Sequence, residues 1–144
     1  TKKKLFIKST NMKRTLTIIA LIFSIVSFAY AEEAKAIMTF ERTKVDLGKI
    51  DAAKGPVTFE YPFTNTGDAP LVIITVTNGG CGCTTPTYPK APIQPGEKGV
   101  ISITFDPTGR KGGLNREIKV RSNAKKKTQN LTFKGSVIPA PKEK

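Results

Sequence analysis

Val57-Thr58-Phe59-Glu60-Tyr61-Pro62-Phe63-Thr64 sets Val57, Phe59, Tyr61 and Phe63 at every second position, with Thr58, Glu60, Pro62 and Thr64 between them. Successive side chains of a strand point to opposite faces, so this spacing builds one apolar and one polar face; on a helix the same residues would scatter. Outward along the chain the period returns. Ile101, Ile103 and Phe105 alternate with Ser102 and Thr104, Ile118 and Val120 with Lys119 and Arg121, and Leu131, Phe133 and Val137 with Thr132, Lys134 and Ser136. Leu71 to Val76 is instead a continuous apolar run, which predicts a strand covered on both faces. Ala36 to Glu41 and Lys44 to Ile50 supply the opening strands.

Turn chemistry separates these runs. Lys54-Gly55-Pro56, Asn65-Thr66-Gly67-Asp68-Ala69-Pro70, Gln94-Pro95-Gly96-Glu97, Arg110-Lys111-Gly112-Gly113 and Ser122-Asn123 place Gly, Pro, Asn or Asp where a turn needs a particular φ or a side-chain bond to its own backbone. About seven short antiparallel strands punctuated in this way predict an all-β, immunoglobulin-like β-sandwich. Phe40, Phe59, Phe63, Phe105 and Phe133 are its expected core, each contributing about 1.5 to 3 kcal/mol when fully buried. Pro62 lacks an N–H, so an edge or bulge is expected where it interrupts the best strand pattern.

The sequence ahead of residue 32 reads differently. Met12-Lys13-Arg14 opens a basic segment, Leu16 to Phe28 is almost wholly apolar, and Ala29-Tyr30-Ala31 has the small residues of a cleavage site, so 12–31 reads as a signal peptide cleaved after Ala31. The run is shorter than the roughly 20 apolar residues of a bilayer helix and meets Glu32-Glu33 at once, so no stable transmembrane anchor is expected after cleavage. Residues 1–11, rich in lysine, read as upstream sequence or an extended basic region. The expected domain is then 32–138, followed by a charged tail at 139–144, and the destination is the periplasm or the medium. Six of the 24 basic residues (Lys2, Lys3, Lys4, Lys8, Lys13, Arg14) precede the cleavage site whereas all 11 acids follow it, leaving a net charge of +7. Lys125-Lys126-Lys127 is the one dense basic run; without interleaved aromatics it reads as a solvated hairpin tip, and no nucleic-acid partner is expected.

Several phrases occur together in an order that resembles a known family. Asp46-Leu47-Gly48-Lys49-Ile50, Phe63-Thr64-Asn65-Thr66-Gly67-Asp68-Ala69-Pro70-Leu71, Cys81-Gly82-Cys83-Thr84, Ile93-Gln94-Pro95-Gly96-Glu97-Lys98-Gly99, Phe105-Asp106 and Phe133-Lys134-Gly135-Ser136-Val137 are similar to the bacterial secreted family called domain of unknown function 1573. The resemblance spans the whole mature chain. It implies an immunoglobulin-like sandwich, distantly similar to pilus-chaperone and major-sperm-protein domains, and it implies no biochemical activity.

Cys81 and Cys83 are the only cysteines, and the chain has no histidine. In an exported protein an even count favours a disulfide, yet two residues apart on an extended strand their α-carbons would stand about 6.6 to 6.8 Å apart, near the upper limit of disulfide geometry. Gly79, Gly80 and Gly82 would let the backbone tighten. Closing so small a ring contributes only about 1.6 kcal/mol by loop entropy. Three readings stay open: a crowded loop corner with or without a bridge, a thiol-redox pair, or soft-metal handling with ions such as Cu(I). A closed zinc site would want four ligands, and there is no His to complete it. A redox pair more often sits as C-x-x-C at a helix N-terminus, and no helix pattern follows Cys83.

Tyr88, in the proline-rich stretch Pro86-Thr87-Tyr88-Pro89-Lys90-Ala91-Pro92, reads either as a residue packed over one end of the sandwich or as a contact on a rigid binding loop. Without His, a Ser or Cys nucleophile has no evident base, so neither an enzyme nor a cofactor is expected. The reading that follows is an exported, non-enzymatic binding or structural module acting on protein or cell-envelope partners. Its rival is a small thiol-redox or soft-metal-handling protein using Cys81 and Cys83.

Overall fold

The computed structural model describes residues 33–141; the leader and upstream segment expected over 1–31 lie outside the described residues. Eight strands follow one another: β1 (Met38–Phe40), β2 (Lys44–Asp51), β3 (Val57–Asn65), β4 (Ile73–Val76), β5 (Thr84–Thr87), β6 (Lys98–Phe105), β7 (Gly112–Ser122) and β8 (Thr128–Ile138). They form two four-stranded sheets, ordered β1-β3-β6-β5 and β2-β8-β7-β4. This is the all-β, immunoglobulin-like sandwich that the alternation predicts. Ile138 ends the last strand, and Pro139 to Pro141 carry no further element.

The inward positions are those the period-two pattern marks. Phe63, Phe105 and Phe133 are buried with Tyr61, Ile101, Ile103, Ile118, Val120 and Leu131, while Phe40 is only partly buried. The Phe133 ring of one sheet lies 4.9 Å from that of Phe59 and 5.7 Å from that of Phe105 in the other. Tyr61 is fully buried, and its hydroxyl donates to Thr132 O at 2.9 Å. Burial pushes its pKa up to about 12 against a small opposing effect of Arg42.

Three expectations need correcting, and at Pro62 one of the two expected alternatives is met. The strands are not all antiparallel: β2 runs parallel to β8, because residues 41–43 carry the chain from one sheet into the other instead of turning it back in a hairpin. Leu71 to Val76 is not a strand covered on both faces. Only Ile73–Val76 forms β4, it lies at a sheet edge, and Ile74 is 59% exposed while Ile73 and Val76 are buried. Pro86 and Thr87 belong to β5, not to a loop. Pro62 brings no bulge, since β3 pairs with β6 in continuous register through Pro62↔Val100. An edge does occur there: β1 ends at Phe40, level with Phe63, and beyond it Glu41 N–H donates to Pro62 O at 3.0 Å and the Arg42 guanidinium to Glu60 O. The missing N–H therefore faces a place where no strand asks for it.

The lysine run lies where expected. β7 and β8 pair through Arg121↔Thr128, which leaves 123–127 as the hairpin tip.

Candidate functional site

Cys81 and Cys83 are joined by a disulfide, with their α-carbons 5.2 Å apart. The loop tightens because Gly79 (φ 68°) and Gly80 (φ 75°) take the left-handed conformation, whereas Gly82 does not. Asn78 Oδ1 accepts from Gly80 N–H at 3.1 Å, and Thr84 N–H closes the far side on Cys81 O at 3.3 Å. Cys81 is buried and Cys83 half-buried.

Arg110 joins this pair from a segment that the sequence reading treats only as a turn. Thr108 N–H donates to Asp106 Oδ1 at 2.9 Å and Arg110 N–H to Pro107 O at 3.0 Å, with Gly109 at φ 72°, so the chain after β6 folds back. Side-chain and backbone hydrogen bonds from Thr108 hold the Asp106 carboxyl below its usual range. Asp106 N–H donates to Cys83 O at 2.8 Å, fixing this turn to the cysteine loop. The Arg110 guanidinium then donates to Cys81 Sγ at 2.9 Å, and Cys83 N–H reaches the same sulfur at 3.1 Å. Arg110 also walls two hollows. One, of about 340 Å³, is completed by Ala52, Thr108, Gly109, Lys111, Pro139 and Ala140; the other, of about 140 Å³, by residues that include Lys111, Leu114 and Arg116. Among the described residues no group of three or more His, Cys, Asp or Glu is placed to hold a metal.

Tyr88 sits apart from this, half-buried against the core. The Lys90 ammonium lies 3.4 Å from its ring centroid, and the Thr75 side chain and Val76 backbone are near enough to its hydroxyl to favour the phenolate as well. That ammonium is the main reason its pKa is lowered. Tyr88 is thus a clasp on β4, and of its two sequence readings the packed one describes its contacts.

The four sheet edges differ in what they leave open. On β1 and just before it two outward carbonyls are taken, Ala36 O by Lys125 N–H at 2.9 Å and Met38 O by Gln129 Nε2 at 2.7 Å. Beside β4, Leu71 and Ile93 exchange hydrogen bonds of 2.9 and 2.8 Å, and Tyr88 closes the other end. On β5, Asp106 N–H on Cys83 O sets Cys83, Thr85 and Thr87 toward β6; outward lie Thr84, whose N–H is used by Cys81 O, and Pro86, which has none. The β2 edge is the exception. Thr132 N–H donates to Thr43 O at 2.8 Å, so Thr43 and Val45 face β8 while Lys44 and Asp46 turn their backbone groups outward, where no strand follows. Beside this edge Lys44, Val45, Asp46, Thr132 and Lys134 line a hollow of about 240 Å³.

The model of a family described as "Protein of unknown function (DUF1573)" matches residues 38–137, which includes every strand except the last residue of β8. The chain belongs to this family. No curated protein matches it. Among solved structures, a protein of unknown function from Porphyromonas gingivalis W83 is similar at 20% identity with a TM-score of 0.64, over 75% of this chain and 50% of that one. The secreted serine protease VesC from Vibrio cholerae is similar at 16% identity and TM-score 0.53, over 73% of this chain and 24% of that one. The PapD-like domain 7 of human CEP192 is similar at 12% identity and TM-score 0.54, over 74% of this chain and 89% of that domain. The DUF1573 domain thus spans half or less of the first two proteins and nearly all of the third, and what these likenesses share with it is the sandwich.

Proposed function

We propose that this chain is an exported, non-enzymatic immunoglobulin-like module that binds protein or cell-envelope partners by accepting an extended strand at β2. The observation that carries the reading is the contrast among edges: β1, β4 and β5 each have some outward main-chain groups claimed by other residues or lacking, as the N–H is at Pro86, whereas among the described residues no hydrogen bond meets the outward backbone groups of Lys44 and Asp46. Main-chain bonding to an open edge supplies affinity, and side-chain hollows beside it supply selectivity. The hollow under Val45 and Lys134 is suitably placed for that second task. Lys44, Asp46 and Lys49, with the shift of register between Asp46 and Lys49, discourage indiscriminate pairing of the same edge. Support for export comes from the leader pattern ahead of Glu32, and protein recovered from its native compartment should have the mass of a chain beginning at Glu32.

The test is capture from the native envelope fraction. Lys44→Pro removes an outward N–H at an exposed position and puts a ring in the path of an added strand, while the bonds of β2 to β8 remain. Partners retained by the wild-type domain should fall at least tenfold with Lys44→Pro and be undiminished with the Cys81→Ser, Cys83→Ser double variant. Equal capture by Lys44→Pro, with an unchanged unfolding midpoint, would rule out the β2 edge as the docking strand.

A further inference from the structure

We propose that the Cys81–Cys83 bridge is a thiol-exchange site, attacked at Cys83 by a dithiol partner and made labile by Arg110, which holds the Cys81 thiolate that the attack releases. A ring closed across a single intervening residue removes little freedom from the unfolded chain, so the bridge is a weak staple. What surrounds it suits another task. Two N–H donors, one of them cationic, converge on Cys81 Sγ. A neutral disulfide sulfur is a poor acceptor, whereas a thiolate in that place would be met by a guanidinium at 2.9 Å and a backbone amide at 3.1 Å. None of the ion pairs among the described residues includes Arg110; it acts on the Asp106 carboxylate only through space, and that carboxylate takes its hydrogen bonds from Thr108. A cation beside a sulfur favours the thiolate, the role that a helix N-terminus takes in C-x-x-C proteins.

The difference in burial sets the direction of attack. Cys83 is the more exposed residue of the pair, so a partner thiolate bonds to Cys83 Sγ, the Cys81–Cys83 bond breaks, and its electron pair leaves on Cys81. A stabilised leaving thiolate leaves faster. The partner's second thiol then attacks the partner sulfur of the mixed disulfide, and Cys83 departs and is protonated. Two electrons have passed from the dithiol to the pair, the partner is a disulfide, one of its protons rests on Cys83, and the other has gone to solvent while Cys81 stays a thiolate. The reverse sequence reoxidises the pair.

Equilibration of the purified domain in dithiothreitol redox buffers, read by mass after alkylation, tests the role of Arg110. Arg110→Met should shift the dithiol:disulfide equilibrium at least tenfold toward the disulfide, equivalent to about 30 mV, and Arg110→Lys should recover part of that shift. A wild-type pair that stays oxidised in buffers that reduce thioredoxin, or an Arg110→Met variant that equilibrates as the wild type does, would overturn the proposal. A second arm does not depend on Arg110 variants folding. When the oxidised wild-type domain is mixed briefly with excess glutathione and quenched in acid, peptide mass mapping should find glutathione on Cys83 at least ten times as often as on Cys81; equal occupancy would sink the assignment of Cys83 as the attacked sulfur.

Discussion

Asn65→Ala is expected to destabilise the domain by about 2 to 4 kcal/mol, because three part-buried main-chain groups lose their partner at about 1 to 3 kcal/mol each, less what water recovers. Asn65 ends β3 fully buried, and its side chain is satisfied in every direction. Its amide donates to Ala69 O at 2.8 Å and to Ile93 O at 2.9 Å, while its carbonyl accepts from Gly67 N–H at 3.1 Å and Ile37 N–H at 3.3 Å. One residue thus ties the 66–70 loop, the approach to β1 and the segment that flanks β4. Of these groups only Ile93 O keeps another donor, Leu71 N–H at 2.9 Å. Gly67 belongs to the same joint: a Cβ there would lie 2.1 Å from Lys35 O, so the approach to β1 can run only where residue 67 has no side chain. Guanidinium unfolding should show a lower midpoint for Asn65→Ala with an unchanged slope. A loss below about 1 kcal/mol, the worth of one ordinary hydrogen bond, would mean that the joint tolerates rearrangement.

That joint explains why the Phe63-to-Leu71 phrase can mark the family without naming a function: its Asn and Gly are there for folding. Much of the rest was legible for the same kind of reason. Alternation at Val57 to Phe63, Ile101 to Phe105 and Leu131 to Val137 follows from a strand with one face on a core, which is a local property of sequence. The direction of β2 was not legible, because alternation looks the same whether a neighbour runs parallel or antiparallel. Leu71 to Val76 misled because an apolar run does not say whether its second face is covered, and here Ile74 is left exposed. The cysteine loop was legible as a tight corner. Its chemical setting was not, since Arg110 is 29 residues from Cys81 in sequence and meets it only through the Asp106 to Arg110 turn. An arginine following Asp-Pro-Thr-Gly looks like any solvated turn residue.

The two proposed activities use separate parts of the sandwich, and this makes them separable. Strand addition depends on Lys44 and Asp46 in β2, an edge of one sheet. Thiol exchange depends on Cys81 and Cys83 in the approach to β5, an edge of the other. Lys44→Pro should therefore leave the disulfide equilibrium where it is, and Arg110→Met should leave envelope capture where it is. Both edges rest on the core between the sheets, so damage there would blur the distinction.

Phe133→Ala is the substitution expected to do that damage, at about 3 to 5 kcal/mol, the usual cost of truncating a buried Phe. Phe133 is fully buried on β8, an inner strand, and its ring spans the gap to Phe59 on β3 at 4.9 Å and Phe105 on β6 at 5.7 Å. Alanine forfeits the transfer free energy of the ring and leaves a cavity between two sheets whose hydrogen-bonded backbones resist closing over it. Phe133→Leu keeps most of the volume and should cost clearly less. Against a total of about 5 to 15 kcal/mol for an ordinary domain, the alanine variant would lose a third of its stability or more. Val45 on β2 pairs with Phe133 in register, so the same variant should loosen the β2 edge and raise amide exchange there before global unfolding. An alanine variant within about 1 kcal/mol of wild type would mean that the sheets are not held through this ring; equal exchange at β2 would mean that the edge is supported by β8's backbone alone.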